Sequence, residues 1–285
     1  MRAPWRLGFF MSATYGAGLL ALGIAYPLLE WLGLVDRARQ ANVPLDQWGL
    51  VAALLLGSYA ALRLVDGVRD DLWSRIDLGT RARRWPALAI GLCVGALGIL
   101  VPAAVLLLGG WLRTAPEPST FSWWESARAA TMVLAPASLA EELALRGYTL
   151  SALRDDIGAS GAVAVTSVLF ALLHLFNPGP TVLSTAVVAL AGVFLATVRL
   201  ATGSLFAAWA AHFAWNFSQA AVLHAPVSGL TLPTPGYRME SHGPDWLTGG
   251  AWGPEGGLAA AAGLLICTFL LVWRPRRRRT TPVER

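Results

Sequence analysis

The run Trp85–Leu108, WPALAIGLCVGALGILVPAAVLLL, contains no charged side chain. A helix crosses the hydrocarbon core of a bilayer in about 20 mostly apolar residues, so this run reads as a membrane span. Seven further windows fit the same description: Leu7 to Val35, Leu45 to Val65, Ser126 to Leu153, Ala159 to Asn177, Thr181 to Leu200, Ser204 to Leu223, and Gly257 to Trp273. The expectation is therefore an all-α fold, a polytopic integral membrane helical bundle of about eight transmembrane helices forming a single transmembrane domain over residues 1–285. The first window is longer than the apolar region of a cleaved signal peptide and is expected to stay as a spanning helix. The longest gap, Ala225 to Gly256, holds Pro226, Pro233, Pro235, Pro244 and Pro254 and reads as a connecting loop, with no soluble domain appended.

Composition supports lipid as the main solvent. The 285 residues are 55% hydrophobic and only 14% charged, with mean hydropathy +0.54, against about 25% charged in soluble domains. All 22 basic residues are arginine, for a net charge of +5. They lie between apolar runs and at the termini rather than on one soluble face, which argues against nucleic acid as a partner. An even number of spans places sixteen of them on one side, including Arg2, Arg6, Arg154, Arg199 and the 274–279 run, and five on the other. The positive-inside rule then expects both termini in the cytoplasm, in a plasma (cytoplasmic) membrane. The 274–279 run is explained as a stop-transfer flank. Trp31, Trp48, Trp85, Trp111 and Trp273 stand near span ends, as interfacial anchors do. Gly91 and Gly95 have the four-residue spacing that lets helices approach closely. Cys93 and Cys267 lack metal-type spacing and read as small buried hydrophobes rather than a disulfide.

Charged groups within a span are expensive and normally face the bundle interior. The fourth window contains Ala140-Glu141-Glu142-Leu143-Ala144-Leu145-Arg146-Gly147. Glu142 and Arg146 are four apart and share a face, where they can neutralise each other. Glu141 is rotated about 100° from Glu142 and lacks that partner. The fifth window ends in Phe170-Ala171-Leu172-Leu173-His174, and the seventh holds His212-Phe213-Ala214-Trp215-Asn216, whose His and Asn share a face. If the chain turns back between Arg154 and Gly158, Glu141 and His174 each lie roughly 20 Å from that turn, and His212 comes to a similar level. Singly, each of these groups is explained as polar glue between helices. Unneutralised groups from three spans at one depth point instead to a water-filled cavity and catalysis. His224 and His242 have no motif around them and receive no role.

These ordered motifs, Glu141-Glu142-x-x-x-Arg146, Phe170-x-x-x-His174 and His212-x-x-x-Asn216, resemble those of the CPBP family, whose best-known branch is the type II CAAX prenyl endopeptidase. They define a catalytic core over residues 126–223. Leu145 departs from the family, which often has an aromatic residue there. The resemblance implies an intramembrane endopeptidase acting on membrane-associated peptide or protein substrates in the lipid bilayer. Glu141 and His174 would activate water, and His212 and Asn216 would donate to the oxyanion, while Glu142 and Arg146 hold the helix. No cofactor is required on this reading. Zinc held by Glu141, His174 and His212 is the alternative, although no ligand pair has a zinc-type spacing. Two readings from other classes are a non-catalytic membrane partner or bacteriocin self-immunity factor on the same fold, and an ion-coupled transporter. For a transporter the sequence offers neither an inverted repeat nor paired broken helices.

Overall fold

The chain is described from a computed structural model that covers residues 2–78 and 84–273. Its main helices are α1 (Ala3–Leu20), α2 (Leu45–Ala60), α3 (Arg84–Leu108), α4 (Trp123–Glu142), α5 (Leu150–Leu173), α6 (Val182–Thr202), α7 (Leu205–Phe217) and α8 (Leu258–Trp273). Wider π-helical turns carry α1 on through Ala21–Ala25 and α2 through Ala61–Val65, and Leu143–Thr149 joins α4 to α5.

Large apolar side chains stand exposed along the outer faces, among them Leu22 and Ile24, Val101 and Val105 of α3, and Ile266 and Leu270 of α8. A surface of this kind is matched to lipid. The chain is an integral membrane helical bundle. Among the described residues five helical stretches are long and apolar enough to cross, and eight is not confirmed as the number. One of the five, Trp123–Phe176, contains two expected spans, because Gly158 at φ 75 and ψ 172 breaks the helix and reverses the chain. Only glycine takes that conformation without steric cost. The last helix is a shorter apolar stretch of 16 residues.

Close packing occurs where small residues allow it. A Cβ on Gly91 or Gly95 of α3 would collide with the backbone of Ala207 or Ala211, so α3 lies directly against α7, the helix that carries His212. α8 runs antiparallel to α3, with Gly263 on Gly98 and the Cys267 thiol reaching the Val94 carbonyl at 3.7 Å. Trp273 therefore ends beside the start of α3. Both cysteines are free as expected, but Cys93 is exposed on an apolar helix and Cys267 is half-buried, since small side chains on α3 also serve its lipid-facing side.

The two ends of the bundle differ. One gathers the N-terminus, the 66–78 connection, the turn at Gly158, the start of α7 and the end of α8. Arg6 is bound there to Asp66 at 2.9 Å and to Asp155 at 3.1 Å, Arg75 to Asp155 at 2.9 Å, and Arg199 to Asp77. Arg199 is thus a buried tie between helices rather than a simple flanking charge. Arg81, Arg83 and the 274–279 run lie outside the described residues.

The other end holds an antiparallel two-stranded sheet, β1 (Leu112–Pro116) with β2 (Tyr237–Ser241), an addition to the expected all-α architecture. The proline-rich 225–256 segment is more than a linker. It supplies β2, and Trp252 and Glu255 are buried against α6, α7 and α8.

Candidate functional site

The site forms where the hairpin of α4 and α5 packs on α6 and α7. Arg146 and Phe170 are each twelve residues from Gly158, so reversal at that glycine brings them to one level, and the guanidinium lies 4.4 Å from the centre of the Phe170 ring. This contact supports the depth argument drawn from the chain count. The π-helical turn that follows Glu142 underwinds the helix at this level, a distortion often found where function requires unusual side-chain placement.

Glu142 is fully buried and holds two partners. Its Oε1 accepts from Arg146 Nη1 at 3.1 Å and from His212 Nδ1 at 3.0 Å. The first contact is the expected i,i+4 ion pair. The second reaches across 70 residues of sequence and links the Glu-Glu motif to the His/Asn motif. Arg146 is tied further to the Gly192 carbonyl at 3.1 Å, which anchors α6. An ionised carboxylate can only accept, so His212 carries its proton on Nδ1 and presents Nε2 to the other side.

Facing that nitrogen, at 3.9 Å, is Glu141 Oε2, a buried atom with no hydrogen-bond partner. His174 donates from Nδ1 to the Phe170 carbonyl at 2.8 Å, and among the described residues its Nε2 makes no hydrogen bond. Its ring lies 4.5 Å from that of Phe170, which meets His212 edge-on at 5.7 Å. Phe170, expected only as a motif residue, is therefore the spacer between Arg146 and both imidazoles. Asn216 stands one turn beyond His212.

His174, His212 and Asn216 line one cavity. Glu141 is not among the residues forming its wall; it approaches from the side of His212. Among the described residues no hydrogen bond or ion pair joins Glu141 to His174. A metal would need Glu141, His174 and His212 to converge as ligands, and among the described residues no three His, Cys, Asp or Glu side chains are so gathered. As placed, these residues do not fit a zinc site.

The cavity is also lined by two polar residues that the motifs did not mark, Ser228 and Glu255. Both come from the 225–256 segment. The one available signal was the cost of a lone acidic residue immediately before an apolar span.

Residues 122–218, about a third of the chain, match the family model described as Type II CAAX prenyl endopeptidase Rce1-like. No curated protein and no solved structure matches the chain. The matched stretch contains all seven motif residues from Glu141 to Asn216. Over residues 122–218, then, the chain matches the Rce1-like type II CAAX prenyl endopeptidase family, and the resemblance carried by its three motifs is to an intramembrane protease family of the CAAX type.

Proposed function

We propose that this protein is an intramembrane endopeptidase that hydrolyses peptide bonds of membrane-associated substrates, of the CAAX type or related to it, with a water activated by Glu141 and His174. The observation that carries the reading is the pair of unspent groups at one level: Glu141 Oε2 is buried without a hydrogen bond, and His174, on the cavity wall, makes no hydrogen bond through Nε2 among the described residues. Both are bases able to take a proton from water as it attacks the carbonyl carbon. The oxyanion that forms would be met by Asn216 and by His212 Nε2. That nitrogen donates only in the imidazolium form, whose charge Glu141 and Glu142 would balance. Collapse of the tetrahedral intermediate breaks the C–N bond and returns the proton to the leaving amine. Glu142 and Arg146 act as positioning residues: one orients His212, the other orients Glu142. Both termini are assigned to the cytoplasm on the arginine bias.

The test uses purified protein in proteoliposomes with peptides bearing a C-terminal CAAX sequence, with and without a prenyl group. Glu141→Gln and His174→Ala are expected to lower kcat/KM by about 10² to 10⁴ with little change in unfolding midpoint. A wild-type protein that cleaves no better than these variants would overturn the proposal. A chelator is expected to leave the rate unchanged; loss of activity restored by zinc would favour the metal-dependent alternative. Full biological activity in both variants would favour a non-catalytic partner.

A further inference from the structure

Glu255 belongs to none of the motifs yet shares their cavity. Its side chain is more than nine-tenths buried, at 7% exposure. Oε2 accepts from Trp215 Nε1 at 2.7 Å and Gln219 Nε2 at 2.8 Å, and Oε1 accepts from Ser228 Oγ at 2.5 Å. All three donors are neutral. Among the described residues no arginine or histidine forms an ion pair with this carboxylate, unlike Glu142 with Arg146. A buried charge without a counter-charge is expensive unless something supplies one.

The surroundings indicate what would. A carboxylate has about four lone-pair directions, and three are used, which leaves one on Oε1. The Ser228 hydroxyl is bound to that oxygen, and Asn216 and Trp215 line the same cavity. The lining also holds His174 and His212, and its remaining residues, Phe170, Val188, Ala191, Phe194, Leu195 and Leu264, are apolar. A mostly apolar wall that carries one carboxylate without a counter-charge suits an unbranched aliphatic stem with a cationic head. One open lone pair suits a compact ammonium better than a guanidinium, which binds carboxylates in a two-pronged fork.

We propose that this cavity is a subsite for a primary ammonium on an aliphatic stem, the side chain of a substrate lysine, and that Glu255 is its specificity-determining residue. The peptide part of this assignment rests on the proteolytic reading of the site; the ammonium part does not.

Two arms separate them. In the first, a peptide library is digested by wild-type, Glu255→Gln and Ser228→Ala proteins, and the cleaved bonds are read by mass spectrometry. Lysine is expected to be enriched about tenfold or more over methionine at one fixed position from the cut bond. Glu255→Gln should abolish that enrichment, whereas Ser228→Ala, which keeps the charge and frees a second lone pair, should retain it. Cleavage without lysine enrichment, or enrichment unchanged in Glu255→Gln, overturns the subsite. In the second arm, n-butylammonium and n-butanol are compared as ligands by their shift of the unfolding midpoint in detergent micelles. The ammonium alone should stabilise the wild type, and Glu255→Gln should lose the effect. If no peptide is cleaved, the proteolytic reading fails and this arm still decides the subsite. If Glu255→Gln does not fold, the ammonium-to-butanol difference in wild type and Ser228→Ala decides it: equal shifts overturn the proposal.

Discussion

At the end of the bundle where α1 begins and α8 ends, Arg6 sits between Asp66 and Asp155, Arg75 shares Asp155, and Arg199 is bound to Asp77, the Arg146 carbonyl and Ser151. Midway along the same helices, Glu142 is paired with Arg146 while Glu141 faces His212 at 3.9 Å, and each carboxylate keeps one oxygen buried without a hydrogen bond. The first arrangement matches acid to base and fixes helices to one another. The second leaves Glu141 Oε2, Glu142 Oε2 and Arg146 Nε buried without hydrogen bonds at a level where, among the described residues, His212 Nε2 and His174 Nε2 make none either. Unspent hydrogen-bonding capacity in a buried place costs stability, and proteins retain it where a reacting group will use it.

The largest expected effect breaks the pairing that the middle level does contain. Arg146→Ala removes the arginine bound to Glu142, the support under the Phe170 ring and the bond to the Gly192 carbonyl. Removing one partner of a buried pair typically costs about 3–5 kcal/mol. Thermal unfolding in detergent should show a loss of that order, together with lost activity, because Glu142 would no longer be fixed to orient His212. A variant that is stable and active would mean that Glu142 needs no counter-charge and that the two levels do not differ as argued.

Asp77→Asn makes the converse test. Asparagine tolerates the left-handed backbone at this position, φ 53, and keeps an acceptor for Arg199 while removing the charge. A loss of about 1–2 kcal/mol is expected, with Arg199 still held by the Arg146 carbonyl and Ser151. In an assay corrected for the folded fraction, kcat and KM should be unchanged. A selective fall in kcat would show that the terminal network reaches the site through the Arg146 backbone.

Much of this comparison was legible in the sequence because it rests on short spacings. Glu142 with Arg146 and His212 with Asn216 are i,i+4 pairs in apolar windows, and the Arg154 to Gly158 turn sets the depth of both arms of the hairpin. What was hidden depends on contacts between distant segments. The Glu142 to His212 bond joins residues 70 apart, and it moved Glu142 from holding a helix to orienting a ring. Glu255 meets Trp215, Gln219 and Ser228 from a proline-rich segment that has no helical period to read. The strands Leu112–Pro116 and Tyr237–Ser241 are five residues each and find one another across more than a hundred residues. Local pattern cannot register such pairs, since their stabilisation exists only once the bundle has brought them together.

The smallest effect concerns an ionisable group at neither level. His224 lies just beyond α7, buried at the sheet end, with its ring edge-on to Tyr237 at 4.8 Å. Burial pulls its pKa below the ordinary value of 6.5, and the nearby Ala220 carbonyl only partly opposes this. The folded protein thus holds His224 neutral at a pH where the unfolded chain would protonate it. Its contribution is full above pH 6.5 and is lost as pH falls from there through the lowered folded value, because the unfolded state then binds the extra proton. The unfolding midpoint of wild type should therefore drop more steeply between pH 7.5 and about 5 than that of His224→Asn, which cannot titrate and accepts the left-handed backbone, φ 51. Groups elsewhere titrate equally in both proteins, so the difference between the two curves isolates this histidine. Parallel curves would show that His224 keeps an ordinary pKa. The steeper wild-type curve would establish that burial at the sheet end holds His224 neutral in the folded protein.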